Sequence, residues 1–245
     1  MIRFTDIATK EARFLAMTGL RVGAFLALVP FFKRAYEESE GTGRTLGGAE
    51  RQRKAGGGAK SKLETIEDKL LFILNYHKNN GLQEAQGALF GLSQARANIW
   101  IHRLLPILQR GLALAEATPC REGKALLSHP LAKECADDNQ PPVLAIDGTE
   151  RPRTRPKNDT EQQDTYSGKK KQHTRKNTII SNKHTGKIAY LGPTVTGKTH
   201  DKKMADAEEI TFPQNTILYK DTGYQGFEPP DVITKQPKKN RKTSL

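Results

Sequence analysis

The hydrophobic period of this chain changes once, and the change falls at Asp137-Asp138-Asn139-Gln140-Pro141-Pro142. Upstream, apolar residues recur at helical spacing, as in Ile66, Leu70, Ile73 and Leu74. Downstream they come in short runs bounded by turn residues, the mark of strands. A polar hexapeptide closed by two prolines reads as a boundary between the two textures. Helices gathered in one half and strands in the other predict an α+β protein. The expected layout is N-terminal helices over 1–40, a basic Gly-rich linker over 41–62, a helical domain over 63–136 and a mixed-sheet domain over 142–245.

Charge narrows the partners. Forty Lys+Arg against 27 Asp+Glu leave +13 over 245 residues, which points to an acidic polymer such as nucleic acid. Residues 41–62 hold seven Gly, six Lys/Arg and one acid, Glu50, and read as a basic arm or a merely solvated linker. Two cysteines, Cys120 and Cys135, are too few for a disulfide framework and point to a reducing compartment. The longest apolar stretch, Val22 to Phe32, is too short to span a bilayer, which takes about 20 residues. Pro30 is expected to kink the helix that holds it, and Pro106 to kink or end another.

From Gln83 to Arg103 the spacing is that of a helix-turn-helix. Gly87 suits a close helix crossing, and Gly91 suits a turn residue with left-handed backbone. Ser93 is placed as an N-cap, and Ala97, Trp100 and Leu104 fall inward. Gln94, Arg96, Asn98 and Arg103 are then left on more exposed faces, as base- and phosphate-contacting side chains. An ordinary three-helix packing unit shares this pattern.

In the second half, Asp147 follows the apolar run Val143-Leu144-Ala145-Ile146, and Asp221 follows Ile217-Leu218-Tyr219-Lys220. Further strands are expected over 176–181, 187–191 and from Val232, with a helix over 199–209. Carboxylates at neighbouring strand ends can converge, and a divalent cation relieves their repulsion. Oxygen ligands suit Mg²⁺ or Mn²⁺. Asp-Gly and Asp-Thr-Gly are also ordinary turn sequences. From Arg151 to Lys176 there are nine Lys/Arg and three acids, including Lys169, Lys170, Lys171 and the nearby His173, a further candidate surface for a phosphate backbone. The tail adds five Lys/Arg and no acid from Lys235 to Lys242.

Gly192-Pro193-Thr194-Val195-Thr196-Gly197-Lys198-Thr199 satisfies the Walker A expression, so a P-loop nucleotide-binding protein is a remote alternative. Its interior is stiff and β-branched where a phosphate cradle wants glycine, and Lys220 interrupts the apolar run before the acid.

Taken together, several motifs resemble one family. Leu70-Leu71-Phe72-Ile73-Leu74, Ala88-Leu89-Phe90-Gly91-Leu92-Ser93-Gln94 and Trp100-Ile101-His102-Arg103-Leu104-Leu105-Pro106 resemble the N-terminal helix-turn-helix of bacterial insertion-sequence transposases of the insertion-sequence-five-like group. Asp147-Gly148-Thr149-Glu150-Arg151-Pro152, Tyr166-Ser167-Gly168-Lys169-Lys170-Lys171, His200-Asp201-Lys202-Lys203 and Asp221-Thr222-Gly223-Tyr224-Gln225-Gly226 resemble its DDE endonuclease domain. The resemblance runs from about Phe14 to about Lys239. It implies a ribonuclease-H-like mixed sheet, with Asp147 and Asp221 as catalytic, metal-binding acids for Mg²⁺ or Mn²⁺. It implies hydrolysis and strand transfer on double-stranded DNA at transposon ends and target, in the bacterial cytoplasm at the nucleoid. A second copy or a full-length transposase is the expected protein partner.

The family pattern has a third acid, a Glu on a helix after the fifth strand, with no counterpart among the 24 residues after Asp221. Glu228 and Asp231 lie in a Glu-Pro-Pro-Asp loop instead. The expectation is therefore a domain lacking its last helix and inactive alone, or a non-catalytic DNA-binding remnant or regulator of transposition.

Overall fold

The computed structural model describes residues 1–41, 50, 61–135 and 140–237. Most of the basic arm, and the tail from 238, lie outside the described residues. Two compact units meet at 117/118, ahead of the 137–142 boundary read from the sequence.

The first unit is all helical: α1 (Phe4–Ile7), α2 (Glu11–Thr18), α3 (Val22–Gly41), α4 (Ile66–Asn79), α5 (Gln83–Phe90) and α6 (Gln94–Leu114). Its caps follow local chemistry. Thr65 Oγ1 accepts from Asp68 N at 3.0 Å to start α4, and Asn80 ends it in a left-handed conformation. Ser93 caps α6, and Gly91 before it has φ +68, as the turn requires. Its core is aromatic. The Phe14 and Phe25 rings meet edge-on at 5.1 Å, and Phe72 meets Phe90 likewise at 5.1 Å.

Neither proline ends its helix. α3 runs through Pro30 and α6 through Pro106. Both prolines are exposed, and so are Leu26 and His102, whose carbonyls lose their donors. Water can satisfy those carbonyls, while Leu104, Ile107 and Leu108 bury the opposite side of α6 across the proline. Among the described residues no single helix is long and apolar enough to cross a membrane. The bent pair α2 and α3 passes on composition, but Phe14, Phe25 and Phe32 of that pair are buried in this core.

The second unit opens with a 3₁₀ turn (Gly123–Ser128) and α7 (Pro130–Lys133), where the sequence suggested longer helix. There follow β1 (Val143–Pro152), α8 (Asp159–Thr165), β2 (Tyr166–Ser167), β3 (Gln172–Asn182), β4 (Ile188–Leu191), β5 (Val195–Thr196), α9 (Asp201–Ala207), β6 (Ile217–Lys220) and β7 (Ile233–Lys235). The sequence anticipated β1, β3, β4, α9, β6 and β7 in place and missed β2, β5 and α8. The sheet runs β2-β3-β1-β6-β7, with β4 and β5 also paired to β3. β3 is antiparallel to β1, while β6 and β7 are parallel to it. The class is thus α+β, with a mixed sheet.

The Walker-like string is not a phosphate cradle. Its Val195 and Thr196 form β5 and pair with Lys176 and Arg175 of β3. A methyl carbon on Gly197 would fall 1.9 Å from Thr174 Oγ1, so this glycine serves close packing, and Lys198 is exposed. Lys220 does not break β6 either. It is buried, donating to Phe227 O at 2.6 Å and pairing with Glu228.

Candidate active site

The parallel pairing of β1 with β6 fixes the centre of the site. Ile146 is opposite Lys220, so the next residues, Asp147 and Asp221, leave neighbouring strands side by side. Adjacent strands lie about 4.8 Å apart. Both carboxylates are exposed and turned by local amides. Asp147 Oδ1 accepts from Gly148 N at 2.7 Å. Asp221 Oδ1 accepts from Gly223 N at 2.8 Å, capping a 3₁₀ turn over Thr222–Tyr224. The turn reading holds for Asp221 alone: Asp147 stands within β1, which continues to Pro152, and the register brings it beside the Asp221 turn.

A third carboxylate joins them that the sequence did not single out. Asp201 is the first residue of α9, and its side chain lies over both glycines. A methyl carbon on Gly148 would fall 2.5 Å from Asp201 Oδ1. One on Gly223 would fall 2.6 Å from Asp201 Oδ2 and 3.0 Å from Asp221 Oδ1. A side chain at either place would meet a carboxylate and displace it. The sequence signal was the glycine shortly after each acid, which also reads as turn chemistry.

Lys176 reaches the cluster from β3. It is opposite Glu150 in the β1–β3 register and almost fully buried. Its Nζ lies 2.8 Å from Asp201 Oδ1, 3.4 Å from Glu150 Oε1 and 3.3 Å from Thr199 O. Burial works against its charge, but the Asp201 hydrogen bond and the two carboxylates outweigh that and raise its pKa. Burial likewise works against the charge of Glu150, yet Ser167, Lys176 and Thr174 hold its carboxyl below the usual range.

Tyr224 closes the floor. It is fully buried, and its hydroxyl has no hydrogen-bond partner. Burial, followed by the charges of Asp201, Asp147, Asp221 and Glu208, pushes this phenol well above its ordinary pKa, so it stays a neutral donor. A buried orphan donor within electrostatic reach of carboxylates suits an oxygen-rich ligand. The donor set is one of hard oxygens, which fits a divalent cation of the Mg²⁺ type. Among the described residues, however, no three His, Cys, Asp or Glu side chains stand close enough as placed to hold an ion.

The candidate DNA contacts divide by environment. Arg96 is exposed on α6. Gln94 and Asn98 both donate to Gln83 Oε1, at 2.7 and 3.1 Å, so they tie α6 to α5. Arg103 is half-buried against α3, paired with Glu40 and stacked 5.0 Å from the Trp100 ring centre. Lys169, Lys170 and Lys171 are exposed in the β2–β3 turn. His173 is half-buried, with Nδ1 3.1 Å from Thr165 Oγ1.

The chain is similar to known proteins in two comparisons. The family described as DDE superfamily endonuclease matches residues 146–244, beginning one residue before Asp147. A protein of Microchaete diplosiphon described as a probable transposase for insertion sequence element IS702 is 27% identical over 196 residues. Those residues are 79% of this chain and 64% of that protein, so the chain spans under two thirds of its relative. No solved structure matches the chain. The second unit is thus similar to DDE superfamily endonucleases, and the chain is similar to a probable insertion-sequence transposase.

Proposed function

We propose that the second unit is the catalytic domain of a transposase that cuts and joins DNA phosphodiesters, with Asp147 and Asp221 as its paired acids. The observation that carries this reading is the parallel register that sets those acids side by side. The strand order, with β3 antiparallel to β1, β4 antiparallel to β3, and β6 and β7 parallel to β1 on the other side, supports a ribonuclease-H-like sheet.

A divalent cation, Mg²⁺ or Mn²⁺, bound between the two acids would activate the attacking oxygen and stabilise charge on the leaving one. The chain's part is positional. Gly148 N and Gly223 N each fix one carboxylate oxygen, which orients the rest of each carboxylate toward the shared space. Lys176 and Glu150 hold Asp201 beside them. Water would be the nucleophile for cleavage, and the freed 3′-hydroxyl for joining. The exposed Lys169–Lys171 turn offers three ammonium groups to a phosphate backbone. In the first unit, α5, the Gly91 turn and α6 have the order of a helix-turn-helix, and Arg96 is an exposed cation in the first turn of α6.

A second reading, DNA holding without cleavage, is favoured by the lack of any three-donor metal group among the described residues. One assay separates the two. Supercoiled DNA carrying transposon ends is incubated with the chain and Mn²⁺, and nicking and retention on a gel are both scored. The catalytic reading expects nicking that EDTA, Asp147→Ala and Asp221→Ala each abolish, with retention kept. Retention without nicking supports the second reading. Nicking that survives both substitutions overturns the assignment of these acids.

A further inference from the structure

Resting on the reading of α5 and α6 as a helix-turn-helix, we infer that Ile99 is a base-reading residue that meets thymine methyl groups in the major groove, with Ala95 and Arg96 beside it. Successive residues of an α-helix turn by about 100°. Ala97, Ile101, Leu104 and Leu108 therefore form one stripe of α6, and all four are buried in the core of the first unit. Ala95, Ile99 and His102 form the opposite stripe, and all three are exposed. Ile99, at the middle of that stripe, keeps 50% of its surface open. The core thus fixes which face of α6 points outward, and the side chain at the centre of that face is aliphatic.

Neighbouring side chains decide what that face can take. Gln94 and Asn98, on one flank, already donate to Gln83 Oε1 at 2.7 and 3.1 Å. Arg103 pairs with Glu40 and stacks on Trp100, so its guanidinium is engaged within the unit. Arg96, on the other flank, is exposed in the first turn. α6 carries three Arg, one His and no acid, so its apolar strip is rimmed by cations and suits a polyanion better than a second copy of this basic chain. Thymine is the base that presents a methyl group on the major-groove edge, and that groove admits a helix. Ala95, one turn before Ile99, is small enough to let the helix come close. Ile99 then covers the methyl, and Arg96 supplies a charge-assisted contact next to it.

The test lets the full chain choose its own target. The chain selects its preferred duplex from a random pool, and Kd is measured on that duplex made with thymine and again with uracil, which lacks only the methyl. Uracil should weaken binding by the parent chain about fourfold for each methyl contacted, the effect of one buried CH₂ group. Ile99→Ala should weaken binding to the thymine duplex by a similar factor and should not distinguish uracil from thymine. Leu26→Ala removes an aliphatic side chain of α3 that is about as exposed, and should bind both duplexes as the parent does. Circular dichroism reports the fold of each variant.

A uracil effect present in the parent and lost in Ile99→Ala supports the inference. A uracil effect of equal size in both overturns it, as does equal binding of the two duplexes by the parent chain. An Ile99→Ala chain that keeps its DNA affinity but loses self-association overturns it too, and assigns the strip to a second copy. Arg96→Ala separates these failures from that of the helix-turn-helix reading. If Arg96→Ala loses affinity for the selected duplex while uracil has no effect, α6 still holds DNA and the methyl contact fails alone. If no duplex is enriched, or if Arg96→Ala and Ile99→Ala both bind it as the parent does, the helix-turn-helix reading falls as well.

Discussion

The two units bury different kinds of residue. In the first, the interior is mostly apolar: Phe14, Phe25, Phe32, Phe72, Phe90, Leu70, Leu71 and Leu104 are fully enclosed. Its few buried polar groups serve helix ends and crossings, as when Gln86 Nε2 donates to Phe72 O at 2.8 Å. In the second unit the central strand β3 buries Thr174, Lys176, Asn177, Thr178 and Asn182, with Ile180 among them. Each of these polar side chains has a named partner across the sheet or in a loop. The first unit is held by area removed from water, while the second adds to its own apolar core a set of buried polar groups that must be matched. Ile146 and Leu218, on the two strands that carry the acids, are buried and apolar, so the polar matching in β3 is added to an apolar layer rather than replacing it.

The contrast can be broken by substitution. The largest effect is expected at Phe72→Ala, which empties a fully buried site against Phe90 and should cost about 3–5 kcal/mol in urea denaturation. Asn182→Leu is the matching change in β3. Asn182 Nδ2 donates to Leu131 O at 3.0 Å and Glu134 O at 2.6 Å, and its Oδ1 accepts from His184 N and Thr185 N. Removing it strands four backbone groups and should cost roughly 1–3 kcal/mol despite the added apolar volume. If Asn182→Leu stabilises the chain, burial in the second unit obeys the same rule as in the first, and the comparison fails.

That difference also governs how far the sequence could be read. The helix start at Ser93 and the turn at Gly91 were legible because caps and left-handed glycines are local chemistry. Pro106 misled as a possible helix end because the cost of a helical proline depends on whether the orphaned carbonyl faces water, which no local pattern reports. Asp147 and Asp221 were legible as acids ending apolar runs. Their side-by-side placement needed the β1–β6 register, which is a long-range property. Asp201 was legible only inside the motif His200-Asp201-Lys202-Lys203, with no role of its own. It sits at the first turn of a short helix, and only the space over Gly148 and Gly223 reveals what it faces. β3 was recognised from its isoleucines but cut short at Lys176, since its N-terminal half is polar. Lys220 was read as spoiling a strand that in fact buries it with a carbonyl and Glu228 as partners.

The smallest effect expected from the same contrast is a pH dependence carried by Glu208. Its carboxyl lies beneath β3 and β4, accepting from Thr178 Oγ1 at 2.8 Å and Tyr190 Oη at 2.9 Å. Burial raises its pKa above 4.5, and the two hydroxyl donors only partly oppose that. A carboxyl whose folded pKa is raised binds its proton more tightly in the fold than in the unfolded chain. Its contribution to stability is therefore full below about pH 4.5 and is lost as pH rises through the higher folded value. Glu150, held low by its hydrogen bonds and Lys176, works in the opposite sense: its contribution is present above 4.5 and lost as pH falls through its folded value. Glu208→Gln removes only the first of these. The stability of the parent chain relative to Glu208→Gln should thus decline as pH rises from 4.5 to 7, followed by urea denaturation at several pH values. A difference that stays flat would mean the hydroxyls of Thr178 and Tyr190 fully compensate the burial, and that even this acid is matched as completely as the polar groups of β3.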